Sequence, residues 1–300
     1  MVFKPDLSLI GTLSSENTST QHHVIVAEFK RAGKALCYLA AKHVVGLNNP
    51  TTDAIESSID TFKPDAIIIE SRYGQENAGY NAGYVAHIKE QAQSGFLTSR
   101  EDRYAAHLAI ENDIPFIGAE PSDQEIISGM NKHNYSTKDV LAFYLLRQIP
   151  VWHEQGTLDK NDFPKQAEEL LQIYHDQLNM PVDERLSFDE FKRWFDEHNT
   201  TGKSFLEFEN DDLRPINSDD ASYFKKLNYA LDPIREAHIV QVIADTLEKY
   251  NRVLVVYGQS HLIKSQPVFE KMFESAPHIT AIRPVGSVTG STAEPATDIK

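Results

Sequence analysis

Three short apolar runs limit what this chain can fold into: Asp-Ala-Ile-Ile-Ile-Glu at 65–70, Ile-Pro-Phe-Ile-Gly-Ala-Glu at 114–120 and Val-Leu-Val-Val-Tyr-Gly-Gln-Ser-His at 253–261. Length and β-branched content make the first a strand covered on both faces, and the other two read as further strands. Helical patterns separate them. Strands alternating with helices predict an α/β fold, with a mostly parallel central sheet and helices on both faces.

The remaining segments fill in that plan. "HHVIVAEFK" and "ALCYLAA" flank the short "RAGK" turn and predict a β-hairpin that opens the sheet. "NNPTT" at 48–52 starts a helix carrying Ile55, Ile59 and Phe62, and Pro64 ends it. Helical stretches are expected over about 76–94 and 98–112, the second opened by a capping box at Thr98–Glu101, and a second box at Ser122–Glu125 starts another helix. From 132 to 222 helical patterns follow one another without a strand, which predicts a helical insert or cap. A long helix over 219–250, a helix over 264–275 and a last strand in "HITAIRP" complete the domain.

The expected organisation is therefore an N-terminal extension (1–21), a first half of the α/β domain (22–131), the insert (132–222), the second half (223–284) and a disordered tail (285–300).

Composition narrows the function classes. The 44 acidic and 29 basic residues give a net charge of −15, which opposes binding to nucleic acid or an anionic membrane, and no basic patch or finger pattern offsets it. Cys37 is the only cysteine, so an internal disulfide and a cysteine-built zinc site are both excluded. With no membrane-spanning run and no signal-like start, a soluble cytoplasmic protein is expected, or a periplasmic or secreted one if a leader was removed. Oligomeric state is not legible.

Ligands of open α/β sheets bind beyond the carboxyl ends of the strands. Four such ends carry chemistry here: Lys42 and His43 after "ALCYLAA", Glu70 after "AIII", Glu120 after "PFIGA", and His261 after "VLVVYG". Each has an ordinary explanation as a solvated rim residue or helix cap; the argument is that they share equivalent positions. Imidazole and carboxylate suit a divalent ion such as Mn²⁺, Co²⁺ or Zn²⁺ held by His43, Glu70 and His261. Without a metal the same groups supply general acid and base. Arg72 and Tyr73 follow Glu70 at the rim as candidate substrate contacts, with Lys42 beside them. Arg235, on the helix leading to 252–257, is a candidate partner for an acid or an oxyanion, and His238 follows it at i+3.

Several patterns point elsewhere and fail. Gly202-Lys203-Ser204 matches the end of a phosphate-binding loop, but Glu197 stands where the first glycine belongs and the preceding residues are helical. "GQENAGYNAGY" lacks the dinucleotide fingerprint, and no Gly-x-Ser-x-Gly elbow is present.

Taken together, "AAKH", "IIIE", "REDRYAAHLAIENDIPFIGAEPSD" and "PIREAHIVQVIADTLEKYNRVLVVYGQSHL" resemble the TraB/TIKI superfamily, which takes in erythromycin esterase-like and ChaN-like haem-binding proteins. The resemblance covers about 24–130 and 228–283. It implies that Gly258-Gln259-Ser260-His261 is the second Gly-x-x-His motif, Glu70 the strand-end glutamate and Arg235 the arginine. The first motif departs from the pattern, with Ala40 in place of its glycine before Ala41-Lys42-His43. What the resemblance implies is a hydrolase of a peptide or small-molecule ester, either metal-dependent or using His and Glu, with Glu120 in support. The ChaN-like branch implies a non-catalytic haem or small-ligand carrier, and a degenerate site would leave an interaction protein.

Overall fold

The computed structural model of the chain describes residues 3–12, 24–42, 49–74, 82–94, 100–216 and 218–282. The chain divides into two compact units, 1–119 with 240–300, and 120–239.

The first unit holds the sheet. Strands β1 (Val24–Arg31) and β2 (Lys34–Ala41) pair antiparallel across Ala32 and Gly33, both at positive φ (48° and 83°), the two-residue turn whose twist matches that of the strands. Helix α1 (Pro50–Phe62) starts on a capping box made by Asn49 and Thr52, and Lys63 closes it in the left-handed region just before Pro64. Strand β3 (Ala66–Ile69), α2 (Ala82–Gln93), α3 (Glu101–Glu111) and β4 (Phe116–Gly118) follow.

The second unit contains α4 (Asp123–Lys132), α5 (Thr137–Gln155), α6 (Phe163–Gln177), α7 (Phe188–His198) and the first part of α8 (Tyr223–Lys249), which passes into the first unit after Ile239. The first unit then closes with β5 (Arg252–Gly258), α9 (Gln259–Phe273) and β6 (His278–Ile282).

The six described strands run β4-β3-β5-β2-β1-β6. Pairs β3·β4, β3·β5 and β2·β5 are parallel, and β1 is antiparallel to both of its neighbours. Asp65 fixes the β3–β5 register, its Oδ2 accepting the amides of Asn251 (3.1 Å) and Arg252 (3.0 Å). Alternation then sorts side chains to two faces. Cys37, Leu39, Ile67, Ile69, Leu254 and Val256 pack with Ile55, Ile59, Ala105 and Ala109 of α1 and α3. On the other face Phe29 and Tyr38 meet Phe269 of α9 at ring separations of 5.7 and 5.9 Å. The α/β architecture read from the sequence, a mostly parallel sheet opened by a hairpin with helices on both faces, is the one observed.

Cys37 is buried in this sheet, and burial first, then the nearby Glu28, pushes its thiol up to about 12. At the amino terminus Phe3 packs on Phe273 at 5.1 Å, and the Gly11 amide donates to the Lys264 carbonyl at 2.8 Å.

Two helix starts differ from expectation. α3 begins at Glu101 with Arg100 as an uncapped N-cap, so Glu101 is not the third residue of a box; Thr98 lies outside the described residues. α9 begins at Gln259 rather than at 264, because Gly258 ends β5 and serves as the N-cap without a side-chain bond. The tail expected over 285–300 also lies outside the described residues.

In the second unit no described residue is in a strand. Its core is aromatic: Phe195 and Phe224 stack at 5.5 Å, with Phe208 edge-on to both at 5.3 and 5.5 Å. Boxes at Ser122–Glu125, Ser136–Asp139 and Ser187–Glu190 start α4, α5 and α7. Among the described residues no helix is long and apolar enough to cross a membrane.

Candidate active site

Pairing brings the carboxyl ends of the parallel strands of the first unit onto one edge of the sheet: Ala41 lies opposite Gly258, and Ile69 opposite both Val256 and Gly118. The residue after Ile69 therefore reaches the end of β5. Glu70 Oε2 accepts the Gly258 amide at 2.9 Å, and Glu70 Oε1 faces His261 Nε2 at 3.7 Å. The first contact is a charge-assisted hydrogen bond. The second is an ion-pair distance beyond hydrogen-bond range.

His261 sits in the first turn of α9, where its ring meets Tyr257 edge-on at 5.2 Å. Its side chain is 6% exposed and that of Glu70 is 15% exposed, so most of the water that would screen the two groups is excluded. The question of whether this histidine caps the next helix is settled by position: it is the third residue inside α9, and Gly258 is the cap.

A second arginine and acid, not anticipated from the sequence, join this neighbourhood. Arg100 Nε donates to Asp102 Oδ1 at 2.9 Å, from a half-exposed side chain to one that is 6% exposed. Burial alone would lower the Arg100 pKa; the charges of Asp102 first, then Glu70 and Glu101, hold it above the ordinary value. Asp102 itself is pushed above the usual carboxylate range by burial, against the pull of Arg100. Since Nε is the only Arg100 nitrogen bonded to a described residue, both terminal amino groups remain for another acceptor. The available signal was "REDR", two acids between two arginines at a helix start, but acids there are ordinary partners of the helix dipole.

The rim beyond β3 is built on a close approach. A Cβ at Gly118 would lie 2.7 Å from the Tyr73 carbonyl oxygen and 2.8 Å from its amide nitrogen, with the Ser71 carbonyl also in conflict. Only glycine lets that loop cross β4 so closely. Ser71 Oγ accepts the Tyr73 amide at 3.1 Å, and the Tyr73 and Tyr84 rings lie 5.4 Å apart. Burial raises the Tyr84 pKa, while its hydrogen bond with Ser71 opposes the shift. Tyr73 is 36% exposed, Arg72 is half-buried, and Lys42 is exposed, its carbonyl accepting from Thr51 Oγ1 at 3.0 Å. His43, the remaining residue expected here, lies outside the described residues.

The other expected pair belongs to the second unit. Arg235 Nε and Nη2 donate to Glu120 Oε2 and Oε1 at 3.0 and 2.6 Å, a bidentate fork in which each side chain is 17% exposed. His238 Nδ1 lies 3.1 Å from Glu125 Oε1, and Glu125 completes the Ser122 capping box. Lys203 of the Gly-Lys-Ser tripeptide is paired with Asp212 at 2.8 Å, and the preceding element is α7 rather than a strand.

As for a metal, Glu70 and His261 are donors of the right kind, two of the three expected ligands. Among the described residues no group of three His, Cys, Asp or Glu side chains is placed to hold an ion. Comparison of the chain with protein-family models, with curated proteins and with solved structures gives no match.

Proposed function

We propose that the first unit hydrolyses an ester or peptide bond of a small molecule or peptide, with Glu70 and His261 moving the proton and Arg100 holding the oxyanion. The observation that carries this reading is the Glu70 carboxylate held between the Gly258 amide and the His261 ring. A carboxylate fixed by a backbone donor on one oxygen and facing an imidazole with the other orients that ring for proton transfer.

In the proposed reaction, the His261 nitrogen turned away from Glu70 removes a proton from water as the water oxygen bonds to the substrate carbonyl carbon. Negative charge gathers on the former carbonyl oxygen, where the Arg100 amino groups stabilise it. The intermediate collapses by breaking the bond to the leaving alkoxide or amine, which takes the proton back from His261. Asp102 positions Arg100 through Nε. The 3.7 Å gap between Glu70 and His261 closes to hydrogen-bond length as charge develops, as expected for a catalytic contact in the absence of substrate. If a divalent ion is bound, Glu70 and His261 with His43 are the residues that would hold it, and it would supply an acidified water.

The test is turnover of an ester and peptide panel by wild type, Glu70→Gln and His261→Asn, each after chelation and with Mn²⁺, Co²⁺ or Zn²⁺ restored. Each substitution is expected to lower kcat/KM by about 10²-fold or more, with the double variant little worse than either single one. No turnover by wild type under any of these conditions, or unchanged turnover in both variants, overturns the proposal.

A further inference from the structure

In the second unit α6 runs into α7 through residues 178–187, and one buried imidazole fastens that connection. The Leu186 amide donates to His175 Nε2 at 3.1 Å, with His175 3% and Leu186 2% exposed. An amide donates only to an unprotonated ring nitrogen, so the single proton of this imidazole sits on Nδ1. A protonated ring carries a donor on both nitrogens. It would point Nε2–H at the Leu186 N–H and leave two buried donors face to face.

The two ends of the connection are held differently. At its start Asn179 adopts a left-handed φ of 50°, and the Met180 amide donates to the His175 carbonyl at 2.9 Å, a backbone bond that does not titrate. At its end the Leu186 amide depends on a side chain that does, and Ser187 caps α7 immediately afterwards. The charged groups acting on the ring are Arg185, on the connection, and Glu168 and Asp176, on α6. Glu168 Oε1 accepts the Phe188 amide at 2.6 Å, and Asp176 faces Arg185 at 3.7 Å. Burial first, then Arg185, holds the ring's pKa below its ordinary 6.5, against the pull of the two acids. Between the two ends, Met180, Pro181 and Glu184 form one wall of a groove of about 590 Å³, and Ile127, Ser128 and Asn131 of α4 line it as well.

We propose that residues 180–186 are a flap on this groove, closed while His175 is neutral and released at Leu186 when the ring takes a proton. Because the folded chain holds the ring's pKa low, the bond contributes above 6.5 and is lost as pH falls through the lower, folded value. Release moves the wall that carries Pro181 and Glu184, so access to the groove becomes acid-dependent. The flap does not depend on the hydrolase reading.

The experiment follows the full chain from about pH 7.5 to about pH 5 by NMR and circular dichroism. The His175 ring nitrogens report tautomer and charge. Hydrogen exchange of the Leu186 and Met180 amides, corrected for its intrinsic pH dependence, reports opening at each end, and the far-ultraviolet signal reports helix content. Expected are the Nδ1–H tautomer at neutral pH and a fall in Leu186 protection of about tenfold or more as the ring titrates, with Met180 and the helices unchanged. His175→Gln offers a side-chain oxygen to the Leu186 amide without titrating, and it should keep Leu186 protected throughout. An Nε2–H tautomer, Leu186 protection that does not follow the ring, or equal loss in wild type and His175→Gln overturns the flap. Loss of Met180 protection and helix content together with Leu186 also overturns it, since the ring would then govern global stability. If His175→Gln does not fold, the wild-type tautomer and the comparison of Leu186 with Met180 still decide.

Discussion

Glu70 and Glu120 each follow a short buried strand, yet their surroundings give them opposite roles. Both oxygens of Glu120 lie in the fork of Arg235, at 2.6 and 3.0 Å, a closed arrangement that holds α8 to the start of the second unit. Glu70 has one oxygen fixed by a backbone amide and the other facing an imidazole from beyond hydrogen-bond range. A saturated carboxylate stabilises a shape. A carboxylate oxygen that faces an imidazole from beyond hydrogen-bond range has an interaction that can strengthen as the ring changes charge, which is what proton transfer needs.

Substitutions can break this contrast or sharpen it. The largest effect is expected from Glu70→Gln: a loss of about 10²-fold or more in hydrolysis with little loss of stability, read by comparing kcat/KM with urea unfolding. A variant that unfolds but, where folded, keeps its turnover would make Glu70 structural like Glu120. Arg235→Leu is expected to do the reverse on stability, costing about 3 kcal/mol because it removes both fork bonds to the part-buried Glu120 carboxylate, at the low end of the range since both side chains keep some water. Denaturant midpoints check this, and a change below about 1 kcal/mol would remove the structural role.

Next comes Gly118→Ala, expected to cost about 2 kcal/mol by driving the Ser71–Tyr73 backbone off β4. Turnover should fall with it, since the displaced segment starts one residue after Glu70; lost stability with intact turnover would separate that loop from the site. The smallest effect concerns a carboxylate of the closed kind. Lys138 first, then the Ser187 amide, pull the Glu190 carboxyl down to about 2. A lowered pKa in the folded state means that the contribution is present above the ordinary value of 4.5 and lost as pH falls toward 2. Glu190→Gln should therefore flatten acid unfolding of the second unit over that window, by about 1 kcal/mol given the exposure of the pair. Identical acid transitions in both proteins would contradict it.

Much of the fold could be read from local physics. Isoleucine runs, a two-residue turn containing glycine, and serine-to-acid boxes act within a few residues, so they survive in the sequence as patterns. Cap signals were harder where the cap had no side chain: α9 starts on Gly258, and a reader waiting for Ser, Thr or Asp places that helix too late. The candidate site was legible as strand-end residues, which gave Glu70 and His261. Arg100 and Asp102 were not, because a charged helix start looks the same whether it faces solvent or a carboxylate across a sheet edge. Gly118 was hidden for a similar reason: only a contact with residues more than forty positions earlier distinguishes it from any other strand-end glycine.

The lone cysteine has one more consequence. With burial pushing its thiol up to about 12, Cys37 keeps its proton at neutral pH, and its side chain is buried inside the sheet. Electrophiles and oxidants that attack thiolates thus have no target while the strands stay zipped. The chain carries an internal reporter whose labelling rate counts how often its centre comes open.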